Sequence, residues 1–86
     1  MITKTVKFNC DEAMHMKAVA VLIQKASTFR ANLWLSRGER RANAKSLLGV
    51  MSLGIVNDME LLVSADGADE NEALEAIVDY LSRPEI

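Results

Sequence analysis

The amino-acid sequence predicts an α+β fold, a two-layer sandwich in which three helices cover four short strands. The chain has 86 residues, half of them apolar, which is enough for one core. Two-residue alternation and helical spacing of apolar residues take turns along it. We therefore expect a single domain over residues 1–86, with its functional residues on the surface rather than in a cleft between domains.

Composition excludes several classes of function. The formal net charge is −2, and Glu39 interrupts the one basic cluster (Arg37, Arg40 and Arg41), which argues against direct nucleic-acid binding. Cys10 is the single cysteine, so no intramolecular disulfide can form, and with one histidine no familiar zinc site is expected, nor any other metal or cofactor. No apolar run has the length of a membrane span and no signal peptide is evident, which predicts a cytoplasmic protein without membrane insertion.

Two periodicities define the first half of the chain. Alternation of apolar residues predicts a strand that begins at Ile2 and extends to Cys10. The next segment changes to helical spacing, which predicts a helix over residues 16–27. Its apolar stripe consists of Val19, Leu22, Ile23 and Ala26.

A hairpin follows this helix. Residues 31–36 and 39–43 are short extended runs on either side of Arg37-Gly38, and a glycine in a two-residue loop favours a tight antiparallel turn. The second run is polar, which is typical of an edge strand. The pattern fixes this one pairing and leaves the order of the other strands open.

The second half predicts helix, strand and helix. Ser46 and Gly54 flank a short apolar helix, as an N-cap and a C-terminal glycine do. Residues 59–65 alternate as a fourth strand, and Asp69 with Glu72 resembles a capping box at the start of the last helix. The apolar stripe of that helix is Ala73, Leu74, Ile77, Val78 and Leu81.

His15 is the first candidate for a reactive side chain. It stands at the start of the first predicted helix, where unpaired backbone N–H groups and the helix dipole favour a negative charge. An imidazole there could hold a phosphoryl group, with the amides of Met16 and Lys17 and the Lys17 ammonium close to its oxygens. A surface or capping histidine is the ordinary alternative at such a position.

The short second helix carries two further signals. Ser46 is either a simple N-cap or a phosphorylation site, where a phosphate would gain from the helix dipole and place about two negative charges beside the helix. The helix also has more apolar residues than one face can bury, which predicts that some form a partner surface. These residues are Leu47, Leu48, Val50, Met51 and Leu53.

Residues 43–54 closely resemble the regulatory-serine segment of HPr, the histidine-containing phosphocarrier of the bacterial sugar phosphotransferase system. His15 falls where that family places its phosphorylated histidine, and residues 64–70 resemble the approach to its last helix. The resemblance implies an open-faced sandwich of four antiparallel strands and three helices.

The resemblance also implies a phosphotransfer route. His15 would accept a phosphoryl group from enzyme I and pass it to an enzyme IIA component. Ser46 would be the target of an ATP-dependent HPr kinase/phosphorylase, after which the protein would bind a catabolite control transcription factor. The implied docking surface consists of Met16, Ala20, Leu47, Leu48 and Met51.

The loop around the histidine departs from the family pattern, which is Gly-Leu/Ile-His-Ala-Arg-Pro-Ala; residues 13–19 read Ala-Met-His-Met-Lys-Ala-Val. Lys17 replaces an arginine and loses its planar pair of donors, Ala18 replaces a proline that sets the first helical turn, and Met16 replaces a small alanine. Three hypotheses stay open: a working phosphocarrier, a Crh-like regulatory protein that acts through Ser46, and a paralogue dedicated to one transport or regulatory pathway.

Overall fold

The computed structural model describes residues 1–9, 15–55 and 58–83. Its elements follow the predicted order of strand, helix, strand, strand, helix, strand, helix. They are β1 (Ile2–Phe8), α1 (His15–Ser27), β2 (Asn32–Arg37), β3 (Arg40–Asn43), α2 (Leu47–Ser52), β4 (Met59–Asp66) and α3 (Glu70–Ser82). Cys10, which the sequence places at the end of the first strand, lies outside the described residues.

The four strands form one antiparallel sheet in the order β1-β4-β2-β3. β4 is central and pairs with β1 on one side, where Val6 faces Leu61, and with β2 on the other, where Leu35 faces Val63. These are the pairings that the alternation alone left open. The α+β open-faced sandwich is thereby confirmed.

The β2–β3 hairpin lies one residue away from its predicted position. Arg37 pairs with Arg40, so the loop is Gly38-Glu39 rather than Arg37-Gly38. Gly38 has φ +58, and positive φ at the first loop residue is what a type II′ turn requires. Because of this one-residue shift, β2 ends at Arg37, and the Arg37 side chain contacts the C-terminal end of α2.

The core lies between the helices and one face of the sheet. Alternate residues of the strands point toward α1 and α3 and are buried, as the two-residue period predicts. The largest fully buried side chains are Phe8, Leu22, Leu33, Leu35, Leu53, Leu61, Ile77 and Leu81. Among the described residues, we find no helix long and apolar enough to cross a membrane.

The start of α3 differs from the predicted capping box. Asp69 occupies the N-cap position, yet its carboxylate makes no cap bond to the helix. It accepts hydrogen bonds from the backbone amides of Arg30 (2.9 Å) and Ala31 (2.8 Å), which precede β2. The Arg30 amide is the main cause that lowers the pKa of Asp69 below its ordinary value of 3.8. Asp69 therefore joins α3 to the α1–β2 connection instead of closing its own helix.

Candidate phosphoryl-transfer site

His15 is the first residue of α1, one position earlier than the helix start predicted from the sequence. Its side chain is partly exposed, and the imidazole packs on Phe8 at the buried end of β1. The two ring centroids are 5.2 Å apart and the ring planes are tilted by 56°. Ala13 and Met14, which precede it in the departing loop, lie outside the described residues. The ring thus rests on an apolar support and still reaches the surface.

The end of α1 around His15 is electrostatically suited to an anion. The first four amides of a helix have no acceptor within it, and they begin here at His15. The first turn contains no acidic side chain that would occupy them, and Lys17 adds an exposed ammonium. A phosphoryl group on the imidazole would therefore lie at the positive end of the helix dipole and near the Lys17 ammonium.

Contacts from α3 fix the position of α1. The buried Tyr80 hydroxyl donates a hydrogen bond of 2.8 Å to the carbonyl oxygen of Ala18, one turn after His15. The Lys25 ammonium lies 5.5 Å from the centroid of the same tyrosine ring, near the other end of α1. Ala18 and Val19 are themselves buried. The His15 end of the helix is therefore held by the core beneath it.

Ser46 is the N-cap of α2, as the sequence predicts. Its Oγ accepts a hydrogen bond from the Gly49 amide at 3.2 Å, and its own amide donates to the Asn43 carbonyl at 3.0 Å. The side chain is partly exposed. The hydroxyl is thus both a structural cap and a group that another protein can reach.

The apolar residues of α2 separate onto two faces. Val50 and the following Leu53 are buried, whereas Leu47, Leu48 and Met51 are exposed, with Leu48 at 81%. Met16 at the start of α1 is 76% exposed. The prediction that this helix has more apolar residues than it can bury is confirmed.

A surface groove of about 180 Å³ lies between the start of α1 and one side of α2, and it extends to the residues that follow α2. It brings His15 together with three of the five residues predicted for docking: Met16, Leu47 and Met51. Ala20 and Leu48 are exposed but do not line it. The remaining lining residues are Val19, Val50, Gly54 and Ile55.

Sequence reasoning missed several parts of this site. The alternation of β1 places Phe8 in the core, and the structure shows that its ring also supports the imidazole of His15. The sequence predicts Gly54 as a helix terminator, and the structure shows that it also lines the groove beside Ile55. The position of Phe8 at the end of an alternating strand was the available signal for the first of these. In the part of the chain that the structure describes, no group of three or more His, Cys, Asp and Glu side chains is arranged to hold a metal ion.

Comparison with known proteins places the chain among phosphocarriers. The family described as the PTS HPr component phosphorylation site matches residues 2–83. A crystal structure of HPr from Thermoanaerobacter tengcongensis is 32% identical, superposes with a TM-score of 0.91, and covers 100% of both chains.

Two further solved structures that match this chain are an HPr and a Crh protein. Phosphocarrier protein HPr from Bacillus anthracis is 30% identical with a TM-score of 0.89, over 93% of this chain and 95% of that one. The catabolite repression protein Crh of Bacillus subtilis, described as a domain-swapped dimer, is also 30% identical, with a TM-score of 0.76 over 94% and 88% of the two chains. Solved HPr and Crh structures both match this chain at about 30% identity, so these comparisons do not distinguish a carrier from a Crh-like protein.

Proposed function

Because the chain belongs to the HPr family of phosphocarriers, we propose that it carries a phosphoryl group on His15 in the phosphoenolpyruvate-dependent sugar phosphotransferase system. It accepts the group from enzyme I and passes it to an enzyme IIA component. The protein is then a carrier and not a catalyst, and it works in the cytoplasm together with these partners.

The observation that carries the proposal is the position of the imidazole at the start of α1. In the first transfer, a ring nitrogen of His15 bonds to phosphorus as the bond between phosphorus and the enzyme I donor breaks. In the second transfer, the acceptor atom of enzyme IIA bonds to phosphorus as the phosphorus–nitrogen bond to His15 breaks. The phosphoryl oxygens lie at the N-terminal end of α1, where the helix dipole and the Lys17 ammonium stabilise their charge. The Phe8 ring beneath the imidazole limits its reorientation between the two steps.

The groove supplies the docking surface for these partners. Met16, Leu47 and Met51 line it around His15, while Leu48 extends the apolar surface beyond it. An apolar patch that surrounds a reactive side chain allows a partner to exclude water from the transfer reaction. Donor and acceptor use the same patch in turn, because both must reach the same imidazole.

Incubation with enzyme I and labelled phosphoenolpyruvate tests the proposal. We expect acid-labile label on the wild-type protein and none on His15→Ala, with Ser46→Ala labelled as the wild type is. Addition of an enzyme IIA component should then remove the label. A wild-type protein that stays unlabelled in the presence of active enzyme I would exclude the carrier function.

Lys17 allows a finer test of the same mechanism. An arginine offers a planar pair of donors to a phosphoryl group, whereas the lysine offers a point charge. We expect Lys17→Arg to accelerate transfer from enzyme I severalfold and Lys17→Met to slow it. An unchanged or lower rate for Lys17→Arg would contradict the role assigned to this residue.

Ser46 provides the regulatory part of the proposal. Phosphorylation by an ATP-dependent HPr kinase/phosphorylase would add about two negative charges at the start of α2, where the helix dipole tolerates them. Those charges would lie beside Leu47, one of the apolar groove residues, and weaken docking there. We expect Ser46-phosphorylated protein to accept label from enzyme I more slowly than unmodified protein.

A Crh-like regulatory role is the second candidate, supported by the 30% identity to Crh. In that case the main output is binding of the Ser46-phosphorylated protein to a catabolite control transcription factor. Efficient labelling of His15 by enzyme I favours the carrier. Absence of labelling combined with phosphoserine-dependent binding to that factor favours the regulator.

A further inference from the structure

The tip of the β2–β3 hairpin contacts the C-terminal end of α2. The Arg37 Nη1 donates hydrogen bonds to the carbonyl oxygens of Leu53 (2.9 Å) and Gly54 (3.1 Å). The Arg40 Nη1 donates to the carbonyl oxygen of Ser52 at 3.3 Å. Two guanidinium groups thus serve three consecutive carbonyls at the end where the helix dipole is negative.

These contacts matter because α2 is short. It has six residues, from Leu47 to Ser52, and an isolated helix of that length does not form in water. Ser46 caps its first turn, and the burial of Val50 and Leu53 holds one face. Arg37 and Arg40 hold the C-terminal end of α2 through hydrogen bonds to its carbonyl oxygens.

Gly54 connects this end of α2 to the groove. It has φ +67, and a Cβ at this position would lie 3.1 Å from the Arg37 Nη1, so a glycine allows the guanidinium to approach. Gly54 and Ile55 line the groove that contains His15. Arg37 therefore contacts Gly54, a residue that lines the groove.

We propose that Arg37 and Arg40 are positioning residues that hold the end of α2 and thereby set the groove wall at Gly54 and Ile55 against which a phosphotransfer partner docks. The docking part of this inference rests on the proposed carrier function; the positioning part does not. Neither Arg37 nor Arg40 is among the described residues that line the groove around His15, so we expect their effect on transfer to act through the shape of the docking surface.

Arg37→Met is the principal test, read out first by amide hydrogen exchange. The Leu53 and Gly54 amides donate to the Val50 and Met51 carbonyls, so they report on the end of α2. We expect their exchange to accelerate about tenfold, because charge-assisted hydrogen bonds to this end are lost, while the amides of the sheet keep their protection. Arg40→Met, which removes the longer contact, should give a smaller change of the same kind.

The second readout is steady-state transfer from enzyme I with the carrier as substrate. We expect the KM for Arg37→Met to rise about three- to tenfold with kcat within about twofold of wild type, because His15 and the start of α1 are untouched. Arg37→Lys, which keeps the positive charge but loses the planar guanidinium, should recover part of the loss. Unchanged transfer kinetics in a variant with faster exchange would overturn the docking role.

Arg41→Met is the matched control. Its guanidinium lies 4.3 Å from the Trp34 ring centroid, on the opposite face of the same hairpin. We expect it to leave both readouts at wild-type values. Unchanged exchange in Arg37→Met, or equal acceleration in Arg41→Met, would overturn the positioning role; exchange does not require phosphotransfer, so this result is independent of whether the wild type accepts label.

Discussion

The two helices α2 and α3 are both rich in apolar residues and use them in opposite ways. α3 buries six of its residues, among them Ile77 and Leu81, which are 0% exposed. α2 buries Val50 and leaves Leu47, Leu48 and Met51 in contact with solvent. Burial stabilises a fold, whereas exposed apolar side chains contribute little to it. The difference is the one we expect if α3 stabilises the core and α2 forms the docking surface of the proposed carrier function.

The two helices also differ in how they are anchored. α3 holds its neighbours through its own side chains: Asp69 accepts from the Arg30 and Ala31 amides, and Tyr80 donates to Ala18. The C-terminal end of α2 is held by side chains from the hairpin, Arg37 and Arg40. A helix that is anchored from outside can keep its own apolar residues free for a partner.

The largest expected effect is at the centre of α3. Ile77→Ala should lower the free energy of unfolding by about 2–5 kcal/mol, because it removes a fully buried side chain and leaves a cavity. Urea unfolding followed by circular dichroism measures this change. A loss below about 1 kcal/mol would mean that α3 does not hold the core as described.

Leu48→Ala is the matched change on α2. Leu48 is 81% exposed, so its truncation should change the free energy of unfolding by less than about 0.5 kcal/mol. The same variant should bind enzyme I more weakly, which titration of the two proteins measures. Equal losses of stability for Ile77→Ala and Leu48→Ala would remove the distinction between the helices.

The loop before α3 gives the next largest effect. Gly67 has φ +152, and an added Cβ would lie 2.7 Å from the backbone Cα of Ala31. We expect Gly67→Ala to cost about 2–3 kcal/mol, because the new residue is strained and the neighbouring backbone must move. Thermal or urea unfolding measures the loss.

Gly38→Ala is the control for backbone strain alone. Gly38 also has positive φ, but a Cβ there would meet nothing within 4 Å. Gly38→Ala should lower the free energy of unfolding by about 1–2 kcal/mol, the cost of placing an L-residue in the left-handed region. If Gly38→Ala were as costly as Gly67→Ala, the close approach at Ala31 would not explain the effect.

The fold was largely predictable because its signals are local. Alternation and helical spacing, together with the turn glycine of the hairpin and the Ser46 and Gly54 that flank α2, located the seven elements of the described residues, with the hairpin loop shifted by one residue. The contact of Asp69 was not predictable, since its partners Arg30 and Ala31 lie 39 and 38 residues away in sequence. An aspartate before a helix favours an N-cap on local grounds, and only the folded chain offers it the competing amides.

The same limit applies to the site. The apolar excess of α2 predicted an exposed face, because the number of apolar residues in a short helix is a local property. The support of His15 by Phe8 and the contact of Arg37 with Gly54 depend on how distant elements pack. Periodicity places residues on a face of an element, but it does not say which element lies opposite.

Asp69 also predicts a pH dependence that distinguishes α3 from α2. Its pKa is lowered in the folded protein, chiefly by the Arg30 amide, so the contribution of its carboxylate to stability is present above the unfolded value near 3.8 and is lost as the pH falls through the lower folded value. At pH 7, Asp69→Asn should be less stable than the wild type. The gap should narrow as the pH falls below about 4.

Urea unfolding at several pH values measures this gap. Asn71→Ala, an exposed and uncharged position in the first turn of α3, is the control and should keep the wild-type pH dependence. A gap between wild type and Asp69→Asn that stayed constant from pH 7 into acid would show that the ionised carboxylate is not what joins α3 to the α1–β2 connection.

The smallest effect concerns the tie between α3 and α1. Tyr80→Phe removes the hydroxyl that donates to the Ala18 carbonyl at 2.8 Å, while the ring and its contact with Lys25 are retained. We expect a loss of about 0.5–1.5 kcal/mol in the free energy of unfolding, the usual value of one hydrogen bond. Tyr80→Ala should cost more, because it also removes the buried ring.

Since Ala18 lies one turn after His15, Tyr80→Phe should in addition accelerate amide hydrogen exchange at the start of α1 and leave exchange in α2 unaffected. Equal acceleration of exchange in α1 and α2 would mean that α2 is coupled to the α1–α3 contact. The contrast between α3, which packs in the core, and α2, which is proposed to bind partners, would then fail.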